Sequence, residues 1–228
     1  GPKLRVSAGC TGRQGMHLLL IHQNFPGQFR DLAPAWLAAG HQITALGSCS
    51  EAPAGTAWEG LRYLRYRFKN DDAPSAEQRG AAVAEICLQL WAGDQAPDLV
   101  LVHTAWGEAL GIQTIWPDRP VIAFPELWGS PLALGYGFDQ AIRGDGPDPE
   151  LFLEQNSCAR QGIEAASVSL VASSSQRDSF PPDLQQRLRV LPEGVDLEAI
   201  SPDPAAQLLL NGRPIRAGDP LVTLVSRE

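Results

Sequence analysis

The chain has 228 residues, enough for one large domain or two small ones, and a chain this long buries roughly 70–75% of its unfolded surface, so a core needs no disulfide or metal staple. Hydrophobic residues make up 44% and charged residues 19%, which excludes a disordered chain, and no apolar run is long enough to cross a membrane as a helix. Lys and Arg total 18 against 26 for Asp and Glu, a formal charge of −8 that argues against a nucleic-acid or anionic-membrane partner. Cys10, Cys49, Cys87 and Cys158 are scattered, with no CxxC pair and no histidine at zinc-finger spacing. The reading is a reducing, cytoplasmic compartment and no metal site.

Residues 1–15 lack the apolar stretch of a signal peptide, and Gly1-Pro2 looks like a cleavage scar, so they are set aside as an expression-derived or disordered leader. From Met16 onward, short β-rich runs alternate with helix-period segments. The runs are Leu18–Ile21, Ile43–Leu46, Leu99–Val102, Val121–Phe124, Val168–Val171 and Leu188–Leu191. They are almost continuously apolar, as parallel strands buried on both faces should be. One helical face carries Phe29, Leu32, Ala33, Trp36 and Leu37, with Gly40 as the stop. Val83, Ile86, Cys87, Leu90 and Trp91 mark a second helix, opened by a Ser75/Gln78 capping box. A third starts at Pro149 behind Asp148 and carries Leu151, Gln155, Cys158, Ala159, Gly162, Ile163 and Ala166 on one stripe. Gly60–Phe68 alternates apolar and basic residues, as an exposed edge strand does.

The pattern predicts an α/β fold with a Rossmann-like, doubly wound parallel sheet over residues 16–196. Linker composition follows at Pro192–Asp196 and Ser201–Pro204, then a small hairpin on Asn211-Gly212, then a buried-type strand at Leu221–Val225. Residues 197–228 thus read as linker, hairpin and the first strand of a further domain.

Ligands of such sheets bind beyond the carboxyl ends of the strands, where the strand order reverses. In the usual order the first strand and Leu99–Val102 are neighbours there, so the loops after them should face one another. The first carries Gln23, Asn24, Phe25, Gly27 and Gln28; the second carries His103, Thr104, Trp106, Gly107 and Glu108; Glu126 and Trp128 follow the next strand. Gly27 would let a ligand approach the backbone, and a helix starting near Phe25–Gln28 would offer free N–H groups to an anion such as a diphosphate. His103 and Glu108 could hydrogen-bond a sugar hydroxyl, and Trp106 and Trp128 could stack on a sugar face. Trp91 lies on a core stripe and reads as structural. Gly135-Tyr-Gly137 lacks the third glycine of a dinucleotide fingerprint, and there is no P-loop, GxSxG or HExxH, so no cofactor is expected.

His22-Gln-Asn-Phe-Pro-Gly-Gln-Phe-Arg30 resembles the opening signature of family 4 glycosyltransferases of bacterial polysaccharide type. The likeness continues through His103-Thr-Ala-Trp-Gly-Glu108, Glu126-Leu-Trp128 to Asp139, Pro192-Glu-Gly-Val-Asp196, Ser201–Ala206 and Val222–Arg227. The resemblance implies the N-terminal, acceptor-side half of a GT-B enzyme that transfers a sugar from a nucleotide-sugar to a glycan or related acceptor, with retention and without metal. It implies that His103 is catalytic beside the transferred sugar, that Gly27 and Arg227 meet the donor phosphates, and that a C-terminal domain supplies most donor contacts. A fragment with one wall of the cleft would be inactive alone; peripheral membrane association of the full-length enzyme stays open. Two E-x7-E spacings, Glu51/Glu59 and Glu77/Glu85, match the donor-domain pattern in the wrong domain and are taken as chance. The alternatives are a stand-alone sugar- or nucleotide-binding module without catalysis and, less favoured, a flavodoxin-like or dehydrogenase domain.

Overall fold

The structure, a computed structural model, describes residues 15–49, 58–68, 74–131, 149–198 and 200–222. The chain divides into two compact units at Pro192/Glu193. The first holds seven parallel strands: β1 (His17–Ile21), β2 (Gln42–Gly47), β3 (Leu61–Arg65), β4 (Leu99–His103), β5 (Val121–Phe124), β6 (Val168–Val171) and β7 (Leu188–Val190). Their order is β3-β2-β1-β4-β5-β6-β7, the doubly wound arrangement read from the sequence, with Gly60–Phe68 supplying the edge strand as expected.

Alternation along the central strands builds two cores, one on each face of the sheet. Leu19, Ile21, Val100 and Val102 point to one face, where α2 (Ala76–Ala92) and α3 (Ile112–Ile115) lay Val83, Cys87, Leu90 and Ile112 over them. Leu18, Leu20, Ile43, Ala45 and Leu101 point to the other, covered by Phe29 and by Ala33 of α1 (Leu32–Ala38). A third cluster joins α4 (Pro149–Ala165), α5 (Ser174–Ser179) and α6 (Pro182–Gln185) to β6 and β7 through Ala159, Ile163, Val171, Phe180, Leu184 and Leu188.

Helix α2 begins with the predicted capping box: Ser75 Oγ accepts from the Gln78 N–H, and Gln78 accepts from the Ser75 N–H. Ser173 and Gln176 repeat the device at α5. Two expectations need correction. The helical face from Phe29 to Leu37 is broken: Gly27–Phe29 forms a single 3-10 turn and α1 starts only at Leu32, after a cis Phe25–Pro26 bond. Trp91 is 61% exposed rather than core, because Val83, Cys87 and Leu90 complete the buried stripe and the four-residue α3 is too short to cover its flank.

In the second unit, β8 (Gln207–Leu210) and β9 (Arg213–Arg216) form the anticipated hairpin, with Asn211 and Gly212 both at positive φ as an Asn-Gly turn requires. Leu221 and Val222 are not in a strand, and the rest of the predicted Leu221–Val225 segment, like Cys10, Glu51, the Gly135–Asp139 loop and Arg227, lies outside the described residues.

The loop after β4 is pressed against the start of α2. A Cβ on Gly107, whose φ is +108°, would come within 2.3 Å of the Ala76 carbonyl oxygen, and one on Gly80 within 2.8 Å of the Leu110 Cβ. Gly107→Ala therefore meets both a disfavoured backbone region and a backbone clash. It is expected to lower unfolding free energy by roughly 2–4 kcal/mol. Urea denaturation should show this as a lower midpoint with an unchanged slope.

Candidate functional site

Three loops leave the carboxyl ends of β1, β4 and β5, and strands β1 and β4 are paired at the point where the order reverses. The centre of the constellation is His103, the last residue of β4. Its side chain is 4% exposed; its Nε2 lies 3.0 Å from Glu126 Oε2, whose side chain is 63% exposed. An ionised carboxylate only accepts, so that hydrogen sits on Nε2. The other ring nitrogen, Nδ1, is buried with no hydrogen-bond partner among the described residues. Glu126 holds a backbone φ of +61°, uncommon for a residue with a side chain and a mark of a site over-determined by its surroundings.

Edge-on to His103 lies the ring of His22, centroid to centroid 5.3 Å. His22 Nδ1 accepts the Asn24 backbone N–H at 3.1 Å, which leaves the hydrogen of the neutral ring on Nε2. Burial, and then repulsion by His103, push the His22 pKa down from 6.5 to about 4, against a smaller pull upward from Glu126. The same ring explains Gly27: at φ +47°, a Cβ there would stand 2.6 Å from His22 Nε2 and Cε1. Gly27 is a glycine because an imidazole lies behind it, as well as for any approach by a ligand.

The remaining candidates sort by where the chain places them. Asn24 is exposed, while Gln23, Gln28 and Trp106 are partly buried; Gln28 Nε2 is buried without a partner among the described residues. Phe25 is fully buried against Trp58 and Tyr63, so it is a core residue and not a ligand contact. Thr104 has no exposed surface and its Cβ and Cγ2 fill the space where a side chain on Gly162 would be. Gly107 serves the packing of α2. Trp128 turns its ring to Phe180, 5.8 Å away, and to the Arg160 guanidinium, 5.9 Å away, rather than to the crevice.

Glu108 differs most from its expected role. Its carboxylate is fully buried and points inward, where Oε1 accepts the Tyr66 hydroxyl at 3.1 Å and lies 3.7 Å from Arg79 Nη1. Burial raises its pKa, outweighing its own backbone N–H, His103, Arg79 and Tyr66. The expected helix N-terminus at Phe25–Gln28 is also absent, since the 3-10 turn there has three residues. His22 is not among the residues expected to form the site, although it directly follows β1; a further signal is the glycine five residues on, where the ring fills the space a side chain would take.

Among the described residues no cluster of three or more His, Cys, Asp or Glu could hold a metal ion, and no helix is long and apolar enough to cross a membrane. A groove of about 430 Å³ between α2 and α3 is lined by Ala84, Leu88, Trp91, Gly111, Thr114 and Ile115; it is apolar and offers no converging polar groups.

A Rossmann-like α/β unit with polar loops converging at its switch point is a common architecture for nucleotide and sugar chemistry, and sequence comparison narrows it. The family described as the Glycosyl transferase family 4 group matches residues 39–200. The chain belongs to that family. A search of curated protein sequences gives no match. Among solved structures, a UDP-glucosyltransferase from Polygonum tinctorium, capable of glucosylating indoxyl, aligns with a TM-score of 0.52 at 12% identity, over 81% of this chain and 54% of that one. The calicheamicin glycosyltransferase CalG4 aligns at 0.42 with 13% identity, over 79% and 53%. A UDP-N-acetylglucosamine 2-epimerase aligns at 0.47 with 11% identity, over 77% and 48%. The chain thus spans about half the length of these structures.

His22 supplies a pH signature. Between pH 6.5 and about 4 the unfolded chain protonates this histidine and the folded chain does not, so stability falls as pH falls through that window. The loss amounts to roughly 3 kcal/mol for a shift of this size. His22→Gln is expected to flatten the dependence, seen by comparing urea midpoints of variant and parent at pH 7 and pH 4.5.

Proposed function

We propose that this chain is the acceptor-side domain of a GT-B glycosyltransferase that moves a sugar from a nucleotide-sugar to a glycan or related acceptor, with retention of configuration and without metal. The family membership supplies the reaction class, and one observation carries the site: a buried histidine at the end of β4 holding an exposed, backbone-constrained carboxylate at the sheet's switch point. Transfer breaks the bond from the anomeric carbon to a phosphate oxygen, and the diphosphate leaves with the electron pair. A new bond forms to an acceptor hydroxyl oxygen, and its proton passes to the phosphate oxygen released by the broken bond. Glu126 is the group of the pair that a ligand can reach. It accepts a hydrogen bond from a sugar hydroxyl, while His103 fixes its orientation and offsets its charge.

Gly27, which is exposed, leaves the backbone of the first loop open to the donor diphosphate. Gln23, Gln28 and Trp106 border the same crevice. The chain alone, with one wall of the cleft, is inactive, and the full-length enzyme works in the cytoplasm, with or without peripheral attachment to a membrane.

In the full-length enzyme, His103→Ala and Glu126→Gln should each lower kcat/KM by roughly 10²–10⁴-fold with the melting temperature little changed; near-normal turnover in both would remove the pair from the mechanism. Calorimetric titration of this chain with UDP-, GDP- and ADP-sugars should give millimolar binding or none. Micromolar binding would mean that this unit carries a donor site of its own.

A further inference from the structure

Behind the crevice lies a charged network that the proposed chemistry does not use. Glu108, in the loop after β4, has no exposed surface and accepts the hydroxyl of Tyr66, just beyond β3. Arg79, on the first turns of α2, stands 3.7 Å from the same carboxylate oxygen and 5.3 Å over the ring of Phe68. The same Nη1 donates to Gln23 Oε1 at 2.9 Å. Gln23 is held at its other end too, since its backbone oxygen accepts from the Ser48 N–H and the Ser48 hydroxyl, both at 2.9 Å, after β2. One guanidinium and one buried carboxylate thus join α2 and the ends of four adjacent strands.

Stability does not explain such an arrangement. A fully buried carboxylate loses its hydration, and its attraction to a partner at 3.7 Å only partly repays that loss; apolar replacements of buried ion pairs are often neutral or stabilising. Here Glu108 Oε2 is also buried without a hydrogen-bond partner among the described residues, so the desolvation is not fully offset. What the network provides is position. Gln23 lies next to His22, and His22 backs Gly27 and faces His103.

We propose that Arg79 and Glu108 are positioning residues of the sugar-transfer site: Glu108 anchors the Arg79 guanidinium, which holds Gln23 and so fixes the His22–Gly27 loop against the His103–Glu126 pair. Neither residue touches the ligand. The inference rests on the reading of this crevice as a sugar site, but the restraint on the loop can be measured without any ligand.

The probe is the imidazole of His22, followed by NMR titration of the four histidines in this chain. Its ring is faced by His103 and Glu126, and because burial is the largest cause of its lowering to about 4, its titration reads out how well the loop packs around it. Gln23→Leu cuts the link and leaves Arg79 and Glu108 paired, so it carries little risk of unfolding; Arg79→Gln removes the link and the charge together. In both, the His22 midpoint should rise from about 4 toward 6.5 as water reaches the ring, with circular dichroism and the melt of Gln23→Leu unchanged. Arg79→Lys, which keeps a cationic donor, should recover at least half of the shift. A His22 midpoint still near 4 in Gln23→Leu would overturn the inference.

A second arm adds a panel of neutral and acidic oligosaccharides and UDP-glucose while watching the His22 and His103 signals. Sugar-induced shifts in the parent that weaken at least tenfold in Arg79→Gln are expected. If the parent gives no shift with any sugar while the His22 midpoint still moves in the variants, the positioning role stands and the sugar-site reading falls. Shifts of equal strength in the parent and Arg79→Gln would overturn the positioning role for ligand binding.

Discussion

The pairing of Leu18–Ile21 with Leu99–Val102 is the contact on which the rest of the molecule depends. Every other parallel neighbour on the β3 side is reached by stepping away from β1 in one direction, and on the β7 side by stepping away from β4 in the other. The crossovers therefore diverge at this seam, and neither covers it. The loops at its carboxyl end are left facing one another with no helix between them, which is why polar groups collect there without blocking the hydrogen bonds of the sheet. The pairing is secured by apolar residues alternating to two separate cores, so the seam is stiff even though its outlet is open.

Around that outlet the protein tolerates several local costs. A histidine is kept neutral well below its usual midpoint, a carboxylate is stripped of water, and Glu126 adopts a backbone angle that favours glycine. Each is unfavourable alone, and all gather within one small region. The restraint needed to hold them comes from packing of a simpler kind: α2 fitted against Gly107, α4 fitted against Thr104 through Gly162, and the Gly129 peptide group bonded in both directions to the Asn156 side chain. These close backbone contacts and amide hydrogen bonds, beside the site and not in it, keep the charged groups from relaxing into water.

Much of this was legible in the sequence. Runs such as Leu99–Val102 are apolar on both faces, and that alone requires helices on both sides and a parallel sheet; strand order then follows from ordinary winding. His103, Glu126 and Gly27 were reachable because position after a strand is enough to put them at the rim. Direction was not legible. Whether Glu108 faces the crevice or the core depends on Tyr66 and Arg79, which are far from it in sequence and meet it only through the register of β3, β1 and β4. Phe25 and Trp128 failed in the same way: each lies in a rim loop, and each found an apolar partner inward before it could serve outward. Trp91 shows the reverse, a residue at the margin of a helical stripe whose covering element is too short.

The carboxylate of Glu154, on α4, accepts the backbone N–H of Ala76 at the start of α2 at 2.7 Å. A seventeen-residue helix ordinarily ends in a patch of partial positive charge, open to whatever anion passes. Here that patch is already answered from within the fold, three times over with Ser75 and Gln78. The N–H groups that would otherwise face outward at this end of α2 are therefore already spent on a carboxylate, a hydroxyl and an amide of the chain itself, so the dipole of α2 is answered by the fold and not by solvent.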